Sequence, residues 1–165
     1  RRNEHGGKTV AISDCEPNVA KLEGLLLSKA NRIMIKLSPM LDLSQALKEL
    51  PHTQEVHIIS VNNECKELLL LLGQTAPEEI QCYHWGDMDY GGIQIFLYNE
   101  KNIFPNLIPW KMDVPSYKAA LEKEKGIKLC SKKQKKLEAL NAGKLALMKQ
   151  CILENKMEIE QEMLI

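Results

Sequence analysis

Ile80-Gln81-Cys82-Tyr83-His84-Trp85-Gly86-Asp87-Met88-Asp89-Tyr90-Gly91-Gly92-Ile93 is the stretch on which the reading of this chain turns. Ile80 to Trp85 has the composition of a strand, Gly86 to Gly92 is an acidic, glycine-rich turn, and Ile93, Ile95, Phe96 and Leu97 begin a helix reaching roughly Lys101. A strand passing through a tight turn into an amphipathic helix is the building unit of an α/β fold, and parallel sheets present ligands at the carboxyl ends of their strands. Two carboxylates at i and i+2 in that place crowd like charges unless a cation neutralises them, and hard oxygen ligands are what Mg²⁺ takes. The glycines let backbone or a substrate phosphate approach closely. An ordinary acidic turn is the alternative, since Asp and Gly are favoured turn formers.

Outward from this unit the chain keeps an α/β rhythm. Thr9 to Ser13 reads as a strand, Pro17 to about Ala30 as a helix, Arg32 to Leu37 as a second strand, and Leu43 to Leu50 as a short helix capped by Asp42 or Ser44. Glu55 to Val61 reads as a third strand, and Asn62-Asn63 as a turn into a helix over Glu64 to Leu72. Gly73 to Glu79 is the best internal boundary. After the Ile80 unit, Leu107 to Met112 reads as an edge strand broken by Pro109. Everything beyond Pro115 reads as helical: Ser116 to Glu124, Ser131 to Asn141, and Gly143 to Met163.

The 165 residues, with 44% hydrophobic and 27% charged side chains, are ordinary globular composition. The longest apolar run, Leu68 to Leu72, is far short of the roughly 20 residues a membrane span needs, so no membrane role is expected. Arg1 to Lys8 lacks the apolar core of an export signal, and a cytoplasmic location is expected. Cys15, Cys65, Cys82, Cys130 and Cys151 are scattered, with no zinc-type spacing; each sits in or beside an apolar run, and packing roles are expected. His84, three residues before Asp87, could serve the acidic turn, whereas His57 reads as a sheet residue.

The 22 basic and 22 acidic residues cancel overall, but Lys118, Lys123, Lys125, Lys128, Lys132, Lys133, Lys135 and Lys136 form a local excess. Such a cluster can neutralise a DNA backbone and release counterions, or it can be a solvated helix face.

Three motifs in order, Tyr83-His84-Trp85-Gly86-Asp87-Met88-Asp89-Tyr90-Gly91-Gly92-Ile93, Phe104-Pro105-Asn106-Leu107 with Trp110-Lys111-Met112-Asp113, and Glu158-Ile159-Glu160-Gln161-Glu162, resemble the C-terminal Toprim domain of the JetD family of Wadjet nuclease subunits, which is related to the catalytic subunit of topoisomerase VI. The resemblance covers about residues 82 to 165. It implies an anti-plasmid endonuclease dependent on Mg²⁺ (or Mn²⁺), acting on DNA delivered by an SMC-type complex. Asp87 and Asp89 would be the metal pair, and Glu64, or more distantly Glu16, the third acidic residue and possible general base. Glu160 and Glu162, on a closing helix, would complete the acidic cluster.

Residues 9 to 72 have a different likeness. Ser13-Asp14-Cys15-Glu16-Pro17, Ser38-Pro39-Met40-Leu41-Asp42 and Asn63-Glu64-Cys65-Lys66-Glu67-Leu68 resemble the later part of a THUMP-like class I methyltransferase dependent on S-adenosylmethionine. No glycine-rich loop follows a first strand and no acidic residue stands about 20 residues beyond it to hold a ribose, so that cofactor is not expected. The two likenesses meet near Gly73, giving the chain a chimeric look.

The expected architecture is α/β: a single domain over residues 1 to 165 with a mainly parallel sheet, flanking helices, Toprim-like, and a helical C-terminal third. The expected function is a Mg²⁺-dependent, DNA-directed nuclease-like protein of plasmid or phage defence, with the DNA backbone and an SMC-type complex or another defence protein as partners. The alternatives are a non-catalytic binding or inhibitor protein of a defence or counter-defence setting, and an inactive methyltransferase-like fragment. Only 22 residues separate Glu64 from Asp87, which favours the binding protein; the intact D-x-D-x-x-G favours the nuclease.

Overall fold

In the computed structural model, residues 11–62 and 64–164 are described. Of the expected first strand, Thr9 and Val10 lie outside them, and the remainder forms no strand: Ala11 is extended but leads directly into a turn of 3₁₀ helix at Ile12–Asp14. Glu49 decides this. Its carboxylate accepts from the amides of Ile12 at 2.7 Å and Ser13 at 3.1 Å, and from the Ser13 hydroxyl, so these donors are used without a neighbouring strand. Ile12 itself is fully buried.

Helix α1 (Val19–Leu27) is capped by Asn18, strand β1 covers Arg32–Leu37, and helix α2 (Leu43–Glu49) is capped by Asp42, whose carboxylate accepts from the Gln45 amide at 2.9 Å. Strand β2 (Thr53–Val61) follows, starting two residues earlier than its composition predicts.

The expected helix over Glu64 to Leu72 is instead a strand, β3 (Glu64–Gly73). Asn62 adopts a left-handed backbone with φ of 50°, the conformation Asn tolerates and tight hairpin turns require. Burial then alternates, with Leu68, Leu70 and Leu72 buried and Leu69 and Leu71 half-buried. Five successive leucines fit a period of two or of 3.6, and hairpin pairing selects the former. β3 pairs antiparallel with β1, from Arg32 opposite Gly73 to Leu37 opposite Leu68.

Strand β4 (Gln81–Trp85), helix α3 (Tyr90–Asn102) and strand β5 (Ile108–Pro109) form a βαβ unit in which β5 runs parallel to β4, with Tyr83 opposite Ile108. The strand order is β1-β3-β2-β4-β5, so the α/β expectation holds as a mixed sheet with flanking helices.

Helix α4 (Val114–Glu122) is capped by Asp113, with Pro115 in its first turn. Strand β6 (Ile127–Lys128) and helix α5 (Ser131–Ala139) follow, and a 3₁₀ turn at Gly143–Leu145 leads into helix α6 (Ala146–Asn155). The expected helix to Met163 therefore stops early. Lys156 is left-handed, with φ of 54°, and Met157–Glu158 becomes strand β7, antiparallel to β6. A 3₁₀ turn, Gln161–Leu164, replaces the expected closing acidic helix.

The described residues divide into two compact units, with boundaries after His57 in β2, after Lys66 in β3 and after Gln81 at the start of β4. One takes the residues up to His57 with Glu67–Gln81, and centres on Ile12, Leu50, Val56, Leu70 and Leu72. The other takes Ile58–Lys66 with Cys82 onward, around Ile93, Phe96, Leu107, Tyr117, Leu137 and Ile152. None of the five cysteines is in a disulfide; Cys82 is buried as expected of a packing residue, while Cys65 and Cys130 are exposed. Among the described residues, no helix is long and apolar enough to cross a membrane.

Candidate functional site

Strand β4 ends at Trp85, and Gly86 to Asp89 turn the chain into α3. The turn is built by close approach. A Cβ on Gly92 would lie only 2.8 Å from the carbonyl carbon and 3.1 Å from the nitrogen of Asp87, and one on Gly86 would lie 2.9 Å from the Nε2 of His84. Glycine is required at both because backbone and ring occupy the side-chain volume. Asp89 is the N-cap of α3, accepting from the Gly92 amide at 2.7 Å, and this brings the helix start forward to Tyr90 from the predicted Ile93.

The returning chain closes the turn from the other side. Met88 and Ile159 exchange backbone hydrogen bonds of 2.8 and 3.2 Å, and the next amide but one, that of Gln161, donates to Asp87 Oδ1 at 2.8 Å. Asp87 and Asp89 are 5% and 9% exposed, yet each has an oxygen committed to a backbone amide, which offsets part of the cost of burying a carboxylate.

Pairing of β7 with β6 delivers a third carboxylate, Glu158, 5% exposed. Lys133, from α5, joins the set: its ammonium lies 3.2 Å from Asp89 Oδ2 and 2.9 Å from Glu158 Oε2. The other oxygen of Glu158, Oε1, is buried without a hydrogen-bond partner. Burial raises the Glu158 pKa above the ordinary carboxylate value; Asp89 adds to this, and the Lys133 ammonium and the Tyr90 amide oppose it without prevailing. Burial would lower the pKa of Lys133, but its bonds to Glu158 and Asp89 outweigh that and raise it. Both directions fit a partly desolvated pair of carboxylates, Asp89 and Glu158, sharing one ammonium.

His84, on β4, is fully buried, packed edge-on against Phe96 with ring centroids 5.9 Å apart. Neither ring nitrogen has a hydrogen-bond partner, and burial pushes the pKa down to about 4, leaving the ring neutral. It supports the Gly86 turn by packing.

Of the residues expected at the site, the structure pairs Asp89 with Lys133, and Asp87, in the same turn, is held by the Gln161 amide. Glu64 is not placed with them: it opens β3 with its side chain exposed, bonded to Lys66 at 2.6 Å, and that bond holds its carboxyl below the ordinary range. Glu16 is exposed in the other compact unit, Glu160 is half-buried and Glu162 exposed. Among the described residues no group of three or more His, Cys, Asp or Glu side chains is placed to hold a metal ion; the carboxylates meet an ammonium instead. Of the lysine cluster, Lys118, Lys123, Lys128, Lys132, Lys135 and Lys136 are exposed and Lys125 is half-buried, whereas Lys133 turns inward as a counter-ion. Sequence reasoning missed Glu158 because a helix was expected there. The one available signal was the alternation of Met157 and Ile159 with Glu158 and Glu160.

The family model of the Wadjet protein JetD C-terminal region matches residues 40–165. The chain belongs to the JetD C-terminal family. The matched residues begin at Met40, within the segment whose wording resembles a methyltransferase, so the family extends across the Gly73 boundary. The Wadjet protein JetD of Bacillus cereus (strain Q1) is 36% identical over 93 residues, 52% of this chain and 22% of the relative; the chain thus spans about a fifth of that protein's length. Among solved structures, one assigned as a methyltransferase from Porphyromonas gingivalis W83 is 39% identical, covering 44% of this chain and 19% of its own, with a TM-score of 0.41.

Proposed function

We propose that this chain carries the nuclease-type portion of a Wadjet anti-plasmid defence protein, a Toprim-like unit in which Asp87 and Asp89 hold Mg²⁺ or Mn²⁺ and direct it at a DNA phosphodiester. The observation that carries the reading is the pair of buried carboxylates at the end of a parallel-type strand, each with an oxygen fixed by a backbone amide. Burying acidic groups costs stability, and the carboxyl end of a strand is where α/β sheets present their ligands. Family membership adds the defence setting, with an SMC-type complex as the partner proposed for it.

The donor set suits a cation. Asp89 and Glu158 already converge on one positive group, Lys133 Nζ, and Glu158 Oε1 is buried and unpartnered. Asp89 and Glu158 are the two carboxylates that would hold a divalent ion at the position Lys133 fills, with water and phosphate oxygens supplying its other ligands, and Asp87 stands two residues before Asp89 in the same turn. When bound, such an ion neutralises charge developing on the phosphate in the transition state. The chain's own contribution is orientation: the Gly92 and Gln161 amides fix the two aspartates, and the exposed lysines of α4 and α5 attract the DNA backbone.

The test is nicking of supercoiled plasmid with Mg²⁺ or Mn²⁺, comparing the wild type with the double variant Asp87→Asn, Asp89→Asn. Asn retains an oxygen for each backbone amide while removing the charge, so the fold is preserved. Nicking should be lost in the variant; equal nicking by both proteins would refute the assignment. A non-catalytic DNA-binding role is the second reading. It is favoured by the separate placement of Glu64, bonded to Lys66, and a wild-type protein that shifts plasmid in a gel without nicking it would support it.

A further inference from the structure

Lys133 stands apart from its neighbours on α5. Lys132, Lys135 and Lys136 are exposed, as expected of a backbone-binding helix, whereas the Lys133 ammonium is engaged by two carboxylates that are themselves almost fully buried. Asp89 and Glu158 come from elements far apart in sequence, the start of α3 and strand β7, and they converge on this one nitrogen. A third feature points the same way: Glu158 places Oε2 on Lys133, while Oε1 is buried without a hydrogen-bond partner.

We infer that Lys133 is the internal counter-ion of this site, occupying the cation position between Asp89 and Glu158, and that a divalent cation binds there only by displacing it. The inference rests on the proposal that these carboxylates hold a metal. The Coulomb terms explain the exchange. With no metal, Asp89 and Glu158 buried side by side without Lys133 would carry a large desolvation cost, which the ammonium offsets. A divalent ion offers twice the charge and can use the idle Glu158 oxygen, but it has to compete with two charge-assisted hydrogen bonds. The lysine side chain is 43% exposed, so a path outward is open to it. Its release would return Lys133 to the same helix as Lys132, Lys135 and Lys136, whose exposed ammonium groups suit phosphate. Metal loading and backbone binding would thereby draw on one side chain.

The experiment is Mn²⁺ titration by calorimetry of the full chain and its Lys133→Met variant, with lysine acetylation of the wild type mapped by mass spectrometry with and without saturating Mn²⁺. Met keeps the aliphatic stem and removes the charge. The variant should bind Mn²⁺ on the order of tenfold more tightly, the scale of losing a competing charged hydrogen bond. In the wild type, acetylation of Lys133 should rise with Mn²⁺ while that of Lys132 and Lys135 stays level. An unchanged affinity in a folded variant, or flat Lys133 labelling with Mn²⁺ bound, overturns the competition and leaves the metal-site reading intact. No Mn²⁺ binding by either protein overturns both. If the variant does not fold, the wild-type labelling decides alone.

Discussion

Replacing Gly92 by Ala sets two effects against each other, and the structure says which wins. Gly92 lies in the first turn of α3, where helix propensity alone favours Ala by up to about 1 kcal/mol. The added methyl, however, would sit 2.8 Å from the carbonyl carbon and 3.1 Å from the nitrogen of Asp87, and closer still to the carbonyl oxygen. Backbone atoms cannot rotate aside as a side chain does. Either α3 moves away from the turn, breaking the 2.7 Å Asp89–Gly92 cap, or Asp87 shifts and loses its 2.8 Å bond from Gln161. Overpacking costs about 1–3 kcal/mol and loss of an N-cap about 1 kcal/mol, so the net expectation is a loss of roughly 2–3 kcal/mol. At about 2–4 °C per kcal/mol for a chain of this size, that is a fall in Tm of roughly 4–12 °C. Gly24 in α1 is the matched control, because a Cβ there meets nothing within 4 Å. Gly24→Ala should raise stability by about 0.5–1 kcal/mol. Both variants are compared with wild type by thermal unfolding followed by circular dichroism. A Gly92→Ala protein as stable as wild type would show that the turn does not pack α3 against Asp87 as described, and the fixed aspartate pair would fall with it.

Two further measurements probe the same unit. His84 is buried and neutral with a pKa near 4 against an ordinary 6.5, so the unfolded chain binds the proton more readily. The stability this provides is complete above pH 6.5 and is lost as pH falls toward 4, by up to about 3 kcal/mol. Urea unfolding of wild type and His84→Phe across pH 4 to 7 should show the difference between them changing over that window; a constant difference would mean the ring is solvated. For the lysines, DNA affinity should fall steeply with salt, and Lys132→Gln with Lys135→Gln should reduce the log–log slope by about 2 while weakening all sequences alike. An unaltered slope in fluorescence anisotropy would remove these two lysines from the interface.

The βα unit at the heart of the molecule was legible in the sequence because its determinants are local. A β-rich run, an acidic cap and glycines at the tight turn belong together wherever the rest of the chain lies, and Asp87 and Asp89 follow from that placement. β1 and α2 were equally readable, since the Asp42 cap and their apolar spacing are properties of a few neighbouring residues, whereas α4 starts two residues before the predicted Ser116 because Asp113 caps it. Where the outcome depended on distant partners, the sequence was ambiguous. Leu68 to Leu72 fits either period, and pairing in the β2–β3 hairpin and with β1 made it a strand. Ile12 and Ser13 give up an extended conformation because Glu49 takes their amides. Met157 and Glu158 leave the helical register to pair with β6, and this places Glu158 beside Asp89. Lys133 is indistinguishable in sequence from Lys132. Only the fold, by bringing α5 and β7 to the end of β4, separates a solvated lysine from one held by two buried carboxylates, because desolvation and ion pairing are set by what surrounds a side chain in space.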